Sequence, residues 1–168
     1  MSNNLFQLGD LITIKHGFAF KGEYFSEKPT HYQLVTPGNF ALGGGFQLGK
    51  GKFYSGPIPE DYILQTNDLI VTMTDLSKQA DTLGFAAKVP KTEGTTWLHN
   101  QRIGLVQVKK DSKLLPEYLY YLMRSDRYRQ NIVASATGST VKHTSPGRIY
   151  AYKFNLPSMD EQIGSHQF

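Results

Sequence analysis

Short runs of apolar and β-branched residues recur along the first two thirds of the chain. Each run is bounded by Gly, Pro, Asn or Asp, which is the pattern of β-strands. The spacing between runs is irregular and no long helical pattern separates them, so mostly antiparallel pairing is expected. We therefore predict a curved, partly barrel-like sheet. The five runs are LITIK (11–15), YQLV (32–35), DLIVTM (68–73), LGFAAKV (83–89) and IGLVQVK (103–109).

A helical period replaces the strand pattern after residue 114. Pro116 suits the first position of a helix, and the apolar side chains after it recur at intervals of three to four residues. These core positions are Tyr118, Leu119, Leu122 and Met123. With helices packed on the sheet, the sequence predicts an α+β fold.

A second helix is predicted directly after the first. Ser125 and Asp126 indicate a break with a new N-cap, and the helix is expected to run from about residue 127 to residue 136. Ile132 and Val133 are predicted to face the core.

The last part of the chain carries further signals for short elements. Ser145 before Pro146 indicates an N-cap and a single helical turn, and AYKFNL is predicted to form the last strand. Ser158 and Glu161 have the spacing of a capping box. The six residues IGSHQF leave that final helix almost no length, so we do not expect it to form.

Composition narrows the class of protein. At 168 residues and 18.9 kDa, the chain suits one domain with its own core. It contains no cysteine, which excludes disulfides, thiolate metal sites and a cysteine nucleophile, and fits a reducing cytoplasm. No basic leader and no apolar run of membrane-spanning length occurs, so we expect an intracellular soluble protein.

Charge is distributed unevenly. The formal net charge is +4 and the isoelectric point about 9.2. No Asp or Glu occurs between Asp126 and Asp160, while five cations do. Such a segment forms either a solvated basic face or a phosphate-binding face. The five cations are Arg127, Arg129, Lys142, Arg148 and Lys153.

The stretch GGGFQLGKGK (43–52) has most of the spacing of a nucleotide-binding phosphate loop. Gly51 stands where that motif has Ser or Thr for magnesium, however, and Pro57 and Pro59 prevent the helix that must follow. We interpret it as a flexible surface loop.

Catalytic patterns are weak. The five histidines are widely spaced, so a metal site is not predicted. Ser139 and Lys142 have the S-x-x-K spacing in which a lysine can activate a serine for acyl chemistry, but neither companion motif is present. A methyltransferase would need a glycine-rich strand-to-helix turn for its cofactor, which is also missing. A binding module is therefore favoured over an enzyme.

The order of the motifs resembles a target recognition domain of the specificity subunit of a type I restriction-modification system. Asn67 stands where that family often has Gly, and Asn also accepts a left-handed turn. The resembling segments are LGDL (8–11), KHGFAF (15–20), LVTPGNF (34–40), NDLIVTMT (67–74), HNQRIGLVQVK (99–109), PEYLYYLMRS (116–125), ATGSTVKHTSPGRI (136–149) and FNLPSMDEQ (154–162).

The resemblance implies a DNA-binding module without chemistry of its own. Residues 1–157 would form the target recognition domain, and residues 158–168 the truncated start of the conserved spacer helix. The domain would recognise one half of a bipartite double-stranded DNA target. Its partners would be a modification (methyltransferase) subunit and, through it, the restriction subunit, and S-adenosylmethionine, ATP and Mg²⁺ would belong to those subunits. The alternative is a truncated subunit that binds methyltransferase partners without binding DNA.

Two kinds of DNA contact are expected from such a domain, to phosphates and to base edges. Asn and Gln suit adenine, and Arg or Lys suits guanine. For Asn100 and Gln101 a structural role beside the following strand is the alternative. We name for phosphate contacts Lys15, Lys21, Arg127, Ser139, Thr140, Lys142 and Arg148. We name for base reading Thr74, Lys78, Gln79, Asn100, Gln101 and Arg102.

Overall fold

The computed structural model describes residues 4–75 and 82–165. Strands dominate the first two thirds and helices follow, as the sequence predicts. The strands are β1 (Leu5–Gln7), β2 (Ile12–His16), β3 (Phe25–Ser26), β4 (Tyr32–Leu34), β5 (Lys52–Tyr54), β6 (Leu69–Thr72), β7 (Thr74–Asp75), β8 (Ala86–Lys88), β9 (Thr96–Leu98), β10 (Ile103–Val108), β11 (Lys142–His143) and β12 (Lys153–Asn155). The helices are α1 (Pro116–Met123), α2 (Asp126–Ala134), α3 (Pro146–Tyr150) and α4 (Met159–Ser165).

The main sheet has the strand order β2-β10-β6-β8, and every neighbouring pair in it is antiparallel. This confirms the pairing predicted from the apolar runs. All four residues of β6 are buried. Leu69 and Val71 pack in the cluster that contains the helices, whereas Ile70 packs with Trp97 on the other face. Because both faces of β6 are covered, its first three residues are all apolar instead of alternating with polar ones.

A second sheet, with the order β3-β5-β4-β9, covers the face of the main sheet opposite the helices. Its β4 and β9 run parallel, with Gln33 beside Trp97. Two short antiparallel pairs, β1 with β12 and β7 with β11, complete the sheets that the described residues form. None of the sheets that the described residues form closes into a barrel.

The first two helices follow the predicted pattern. The four predicted core positions of α1 are all buried, and the Ser125 hydroxyl caps α2 by accepting a hydrogen bond from the Tyr128 amide. Ile132 is fully buried, but the prediction for Val133 is wrong, since its side chain is 38% exposed. α2 ends at Ala134, two residues earlier than expected.

The C-terminal elements are built from local caps. The Ser145 hydroxyl accepts a hydrogen bond from the Arg148 amide and starts α3. Contrary to the prediction, α4 does form, with Ser158 and Glu161 in the expected capping box. The Gln162 side chain explains its stability, because it is fully buried and bonds the Leu115 amide at 2.8 Å. This contact ties α4 to the start of α1.

Asn67 has a φ of 73°, which is the left-handed turn conformation that the sequence predicts at this position. Within the residues that the structure describes, no helix has the length and apolar character needed to cross a bilayer.

Candidate nucleic-acid interface

A cleft with a cavity volume of about 310 Å³ lies where the two four-stranded sheets meet. It gathers four of the six predicted base-reading residues. Lys52 and Arg102 supply two cations, and no carboxylate lines the cleft among the described residues. The lining residues are Phe25, Thr36, Pro37, Lys52, Thr74, Asn100, Gln101 and Arg102.

The turn from His99 to Arg102 is held by the motif KHGF. The Phe18 amide donates to the His99 carbonyl at 3.0 Å, and the Gln101 amide donates to the Phe18 carbonyl at 2.9 Å. Gly17 permits this approach, since a Cβ at its position would lie 1.8 Å from the Asn100 carbonyl oxygen. The backbone of Asn100 and Gln101 is thus structural, while the Gln101 side chain remains exposed.

His99 supports the turn from beneath. Its Nε2 donates to the Ile103 carbonyl at 2.7 Å, and its side chain is 1% exposed. Burial lowers the pKa of the His99 imidazole, because the charged form loses its hydration, although the bond to Ile103 opposes this effect. The neutral ring therefore suits this position. Arg102 completes the turn with a φ of 70°, outside the range that most residues adopt.

Thr74 lies at the floor of the cleft. Its side chain is 2% exposed, and its hydroxyl bonds Nδ1 of His143 at 3.2 Å. The contact joins β7 to β11, where Thr74 faces His143. Met73 joins the same two regions, because its amide donates to the Arg102 carbonyl and its carbonyl accepts from the Thr144 amide, each at 2.9 Å. The segment around β11 is therefore adjacent to the turn that bears Arg102.

The predicted phosphate-binding motif TGST forms a small hairpin beside β11. Thr137 and His143 exchange two backbone hydrogen bonds of 3.0 and 2.8 Å. Ser139 and Thr140 are exposed at its tip, and the Lys142 ammonium donates to the Gly138 carbonyl at 2.8 Å. The hydroxyls are accessible to a ligand.

The remaining predicted cations lie in different places. Arg127 and Arg148 are exposed on α2 and α3. Lys15 is half-buried, with its ammonium 2.6 Å from the Asp61 carbonyl and 4.4 Å from the centre of the Tyr62 ring. Lys21 borders a separate groove of about 340 Å³. Neither Lys15 nor Lys21 lines the cleft.

Lys78 and Gln79, the other two predicted base readers, lie outside the described residues. The segment that contains them begins after Asp75, whose carboxylate is buried and accepts hydrogen bonds from the amides of Thr82 and Leu83 at 2.7 and 3.1 Å. The two sides of this segment are therefore joined at its base.

Lys52 was missed by the sequence reasoning. It is exposed on β5, with its ammonium 4.9 Å from the centre of the Phe25 ring. The sequence does contain a signal for a basic surface at Lys52, because no Asp or Glu occurs between Glu27 and Glu60. That second acid-free stretch supplies one wall of the cleft.

Comparison with known proteins decides the family. A family model described as the type I restriction modification DNA specificity domain matches residues 2–164. The chain belongs to this family. Membership confirms the resemblance found in the sequence, and with it a specificity domain rather than an enzyme.

This specificity domain is 28% identical over 155 residues to the type I restriction enzyme EcoBI specificity subunit of Escherichia coli. The match covers 92% of the chain and 29% of that subunit. The chain thus spans less than a third of the length of this relative.

Solved structures share the fold of this specificity domain. A chain from a study of complex assembly and conformational transition in the type I R-M system has a TM-score of 0.63 at 11% identity, covering 95% of this chain and 35% of that one. The HsdS subunit from Thermoanaerobacter tengcongensis has a TM-score of 0.59 at 11% identity, covering 96% and 35%. The S subunit from M. genitalium has a TM-score of 0.55 at 15% identity, covering 91% and 34%. These similarities confirm the predicted α+β fold.

Within the described part of the chain, no three His, Asp or Glu side chains lie together as ligands for a metal ion. The chemistry available in the cleft is that of hydrogen-bond donors, acceptors and fixed positive charge.

Proposed function

We propose that this domain recognises one half of a bipartite target in double-stranded DNA. The supporting observation is the cleft, which Asn100, Gln101 and Arg102 line together with Lys52 and whose described lining residues include no acid. Amide and guanidinium groups can form paired hydrogen bonds with base edges, and each good pair contributes about 1 to 3 kcal/mol of discrimination. A cleft of this composition suits a polyanion whose sequence must be read.

Base reading and phosphate binding are divided between two regions. We assign base reading to the exposed side chains of Gln101 and Arg102, with Lys52 as an added candidate. We assign phosphate contacts to Ser139 and Thr140, because their hairpin lies against β7 at the side of the cleft. Thr74 is assigned to holding that hairpin in place, since its hydroxyl is buried and bonded to His143.

Cations outside the cleft extend the phosphate-binding surface. Lys142 and Arg148 lie on the segment that carries the hairpin, and Arg127 is exposed on α2. For Lys15 the carbonyl and ring contacts favour a structural role with only a weak phosphate contact. Lys21 would reach a phosphate beyond the edge of the cleft.

The proposed partners follow from the family. We propose that the domain acts with a modification subunit and, through it, a restriction subunit, and that S-adenosylmethionine, ATP and Mg²⁺ act in those subunits in the cytoplasm. Residues 1–157 would recognise the DNA target, and α4 would belong to the spacer. Met159 and Ile163 support the spacer assignment, because each is 46% exposed and they lie one helical turn apart.

Selection from duplexes with a randomised centre tests the function. The chain is immobilised, and the bound duplexes are sequenced after several rounds. The expected result is enrichment of one short motif. If no duplex is retained while a modification subunit still binds, the domain is instead a protein-interaction module.

A further inference from the structure

The glycine-rich loop presents two unusually exposed apolar side chains. Leu42 is 73% exposed and Leu48 is 59% exposed, more than any other large apolar side chain that the structure describes. Phe46, between them, packs instead on Trp97, with ring centres 4.9 Å apart. Phe46 thus anchors the loop to the core, while the two leucines on either side of it are exposed.

Hydrogen bonds fix the turn that carries Leu42. The Ala41 amide donates to the Gly45 carbonyl at 2.9 Å, and the Gly44 amide donates to the Ala41 carbonyl at 3.0 Å. The Gly45 amide donates to the Ala86 carbonyl of β8 at 3.1 Å, which binds the turn to the main sheet. Leu42 therefore stands at the tip of a supported turn.

A glycine is required where this turn meets α1. Gly44 has a φ of 98°, and a Cβ there would lie 2.6 Å from Cδ of Arg124. The Arg124 guanidinium lies 4.0 Å from the centre of the Tyr120 ring, which orients its charge beside the turn. The loop is thus packed against an exposed cation.

The arms of the loop continue the wall of the cleft. Thr36, which lines the cleft, donates from its hydroxyl to the Lys50 carbonyl at 2.8 Å. Across the two arms, the Gln47 side chain donates to the Gly38 carbonyl at 2.8 Å. The base of the loop therefore adjoins the cleft.

The charges around the leucines favour DNA over an apolar protein surface. The loop lies in the acid-free stretch between Glu27 and Glu60, and Lys50 and Arg124 are exposed beside it. The Glu117 carboxylate on α1 is occupied by the Lys88 ammonium, with contacts of 2.6 and 2.7 Å. Each leucine thus has a cation near it, since Gly44 packs on Arg124 two residues after Leu42, and Lys50 follows Leu48 by two residues.

We propose that Leu42 is an apolar wedge that enters a base step of the bound duplex and bends it, with Leu48 contacting the adjoining sugar edge. Lys50 and Arg124 hold the phosphates on either side. Apolar side chains that partly unstack a step kink the duplex, and the bend brings more DNA into contact with the protein. This inference rests on the proposed function, because it deepens the account of how the same surface engages DNA.

The test compares Leu42→Ala with Leu5→Ala. Leu5 is 49% exposed but lies on β1, which pairs with β12 away from the loop, so it is a matched control. The probe is the duplex that the wild-type chain enriches from the randomised pool, labelled at both ends for energy transfer. Leu42→Ala should lose the bend and bind about tenfold more weakly, with the same enriched motif. Leu5→Ala should match the wild type.

A second variant tests the support of the turn. Gly44→Ala keeps both leucines but strains the backbone at a φ of 98° and displaces the Arg124 side chain, so it should reduce the bend as Leu42→Ala does. Wild-type bend and affinity in the Leu42→Ala protein would overturn the wedge and leave the proposed function intact. The wedge is also overturned if Leu42→Ala loses only its binding to a modification subunit. Leu42 would then contact a protein partner instead of DNA. If the wild type enriches no motif, the proposed function and the wedge both fail.

Discussion

The hydroxyl of Thr74 bonds Nδ1 of His143 at 3.2 Å and thereby joins β7 to β11 beside the cleft. A residue expected to read bases is thus placed where it connects two distant segments of the chain. The turn with Gln101 and Arg102 and the hairpin with Ser139 and Thr140 keep their relative position through this contact and through the two backbone bonds of Met73.

Thr74→Val should lower the free energy of unfolding by about 1 kcal/mol, because the buried hydrogen bond to His143 is lost while the shape is kept. Urea unfolding measures this change. Thr13→Val, at an exposed position of β2, is the control and should change stability little. A Thr74→Val protein of wild-type stability with altered base preference would show that Thr74 reads DNA directly.

Gly17→Ala should lower the free energy of unfolding by about 1 to 3 kcal/mol and loosen sequence preference, since the new Cβ displaces the turn at Asn100. Gly147→Ala is the matched control, because its Cβ meets nothing closer than 4.0 Å and lies in α3. Alanine there should stabilise the protein by about 0.5 to 1 kcal/mol. Thermal unfolding and motif selection measure the two effects, and equal behaviour of both variants would contradict the role of the Gly17 contact.

Arg102→Ala should relax preference at one base pair by about 1 to 3 kcal/mol, because a paired hydrogen bond to a base edge is removed. Competition binding against single-base variants of the enriched duplex measures it. Lys110→Ala provides the control, since Lys110 lies past the other end of β10, a strand about 20 Å long. Uniform weakening at all sequences by Arg102→Ala would mean that this side chain contacts phosphate.

The salt dependence of binding should be steep. If about five phosphates are neutralised, log affinity should fall against log salt concentration with a slope of about 4 to 5. Lys142→Ala should weaken all sequences alike and reduce that slope by about one. Fluorescence anisotropy at several salt concentrations measures both, and a shallow wild-type slope would remove the basic surface from the account.

Stability should fall as the solution becomes more acidic because of His99. Burial lowers its pKa in the folded state, so the unfolded chain binds the proton more readily. The stability that depends on a neutral His99 ring is fully present above the ordinary imidazole pKa of about 6.5. It decreases as the pH falls below that value. Urea unfolding between neutral pH and mild acid should show this loss. His99→Gln should flatten the dependence, and an unchanged pH profile in that variant would exclude His99 as its source.

The fold was largely predictable from the sequence wherever the determining interactions are local. The period of the α1 core positions, the cap at Ser125 and the left-handed turn at Asn67 each depend on neighbours within a few residues, and all three are confirmed. The same local signals failed at Val133, because its exposure depends on where α2 ends and what packs against it.

The candidate site was only partly predictable because distant segments build it. Nothing near Thr74 in the sequence shows that it pairs with His143. Nor does the sequence show that Lys52 on β5 lines the same cleft as Arg102. The formation of α4 is a similar case, since the buried amide of Gln162 supports it through contact with the start of α1. Residue type identified candidate readers, whereas tertiary structure decided which of them share a surface.

Methylome sequencing of cells that carry this domain grafted into an intact specificity subunit tests the central claim most directly. The account predicts that methylation moves to a new bipartite motif. It also predicts that Arg102→Ala in the graft relaxes the sequence preference at one base pair of the new half, while the other half stays unchanged. Methylation that remains at the original motif, or a new motif unaffected by every substitution in the cleft, would contradict it.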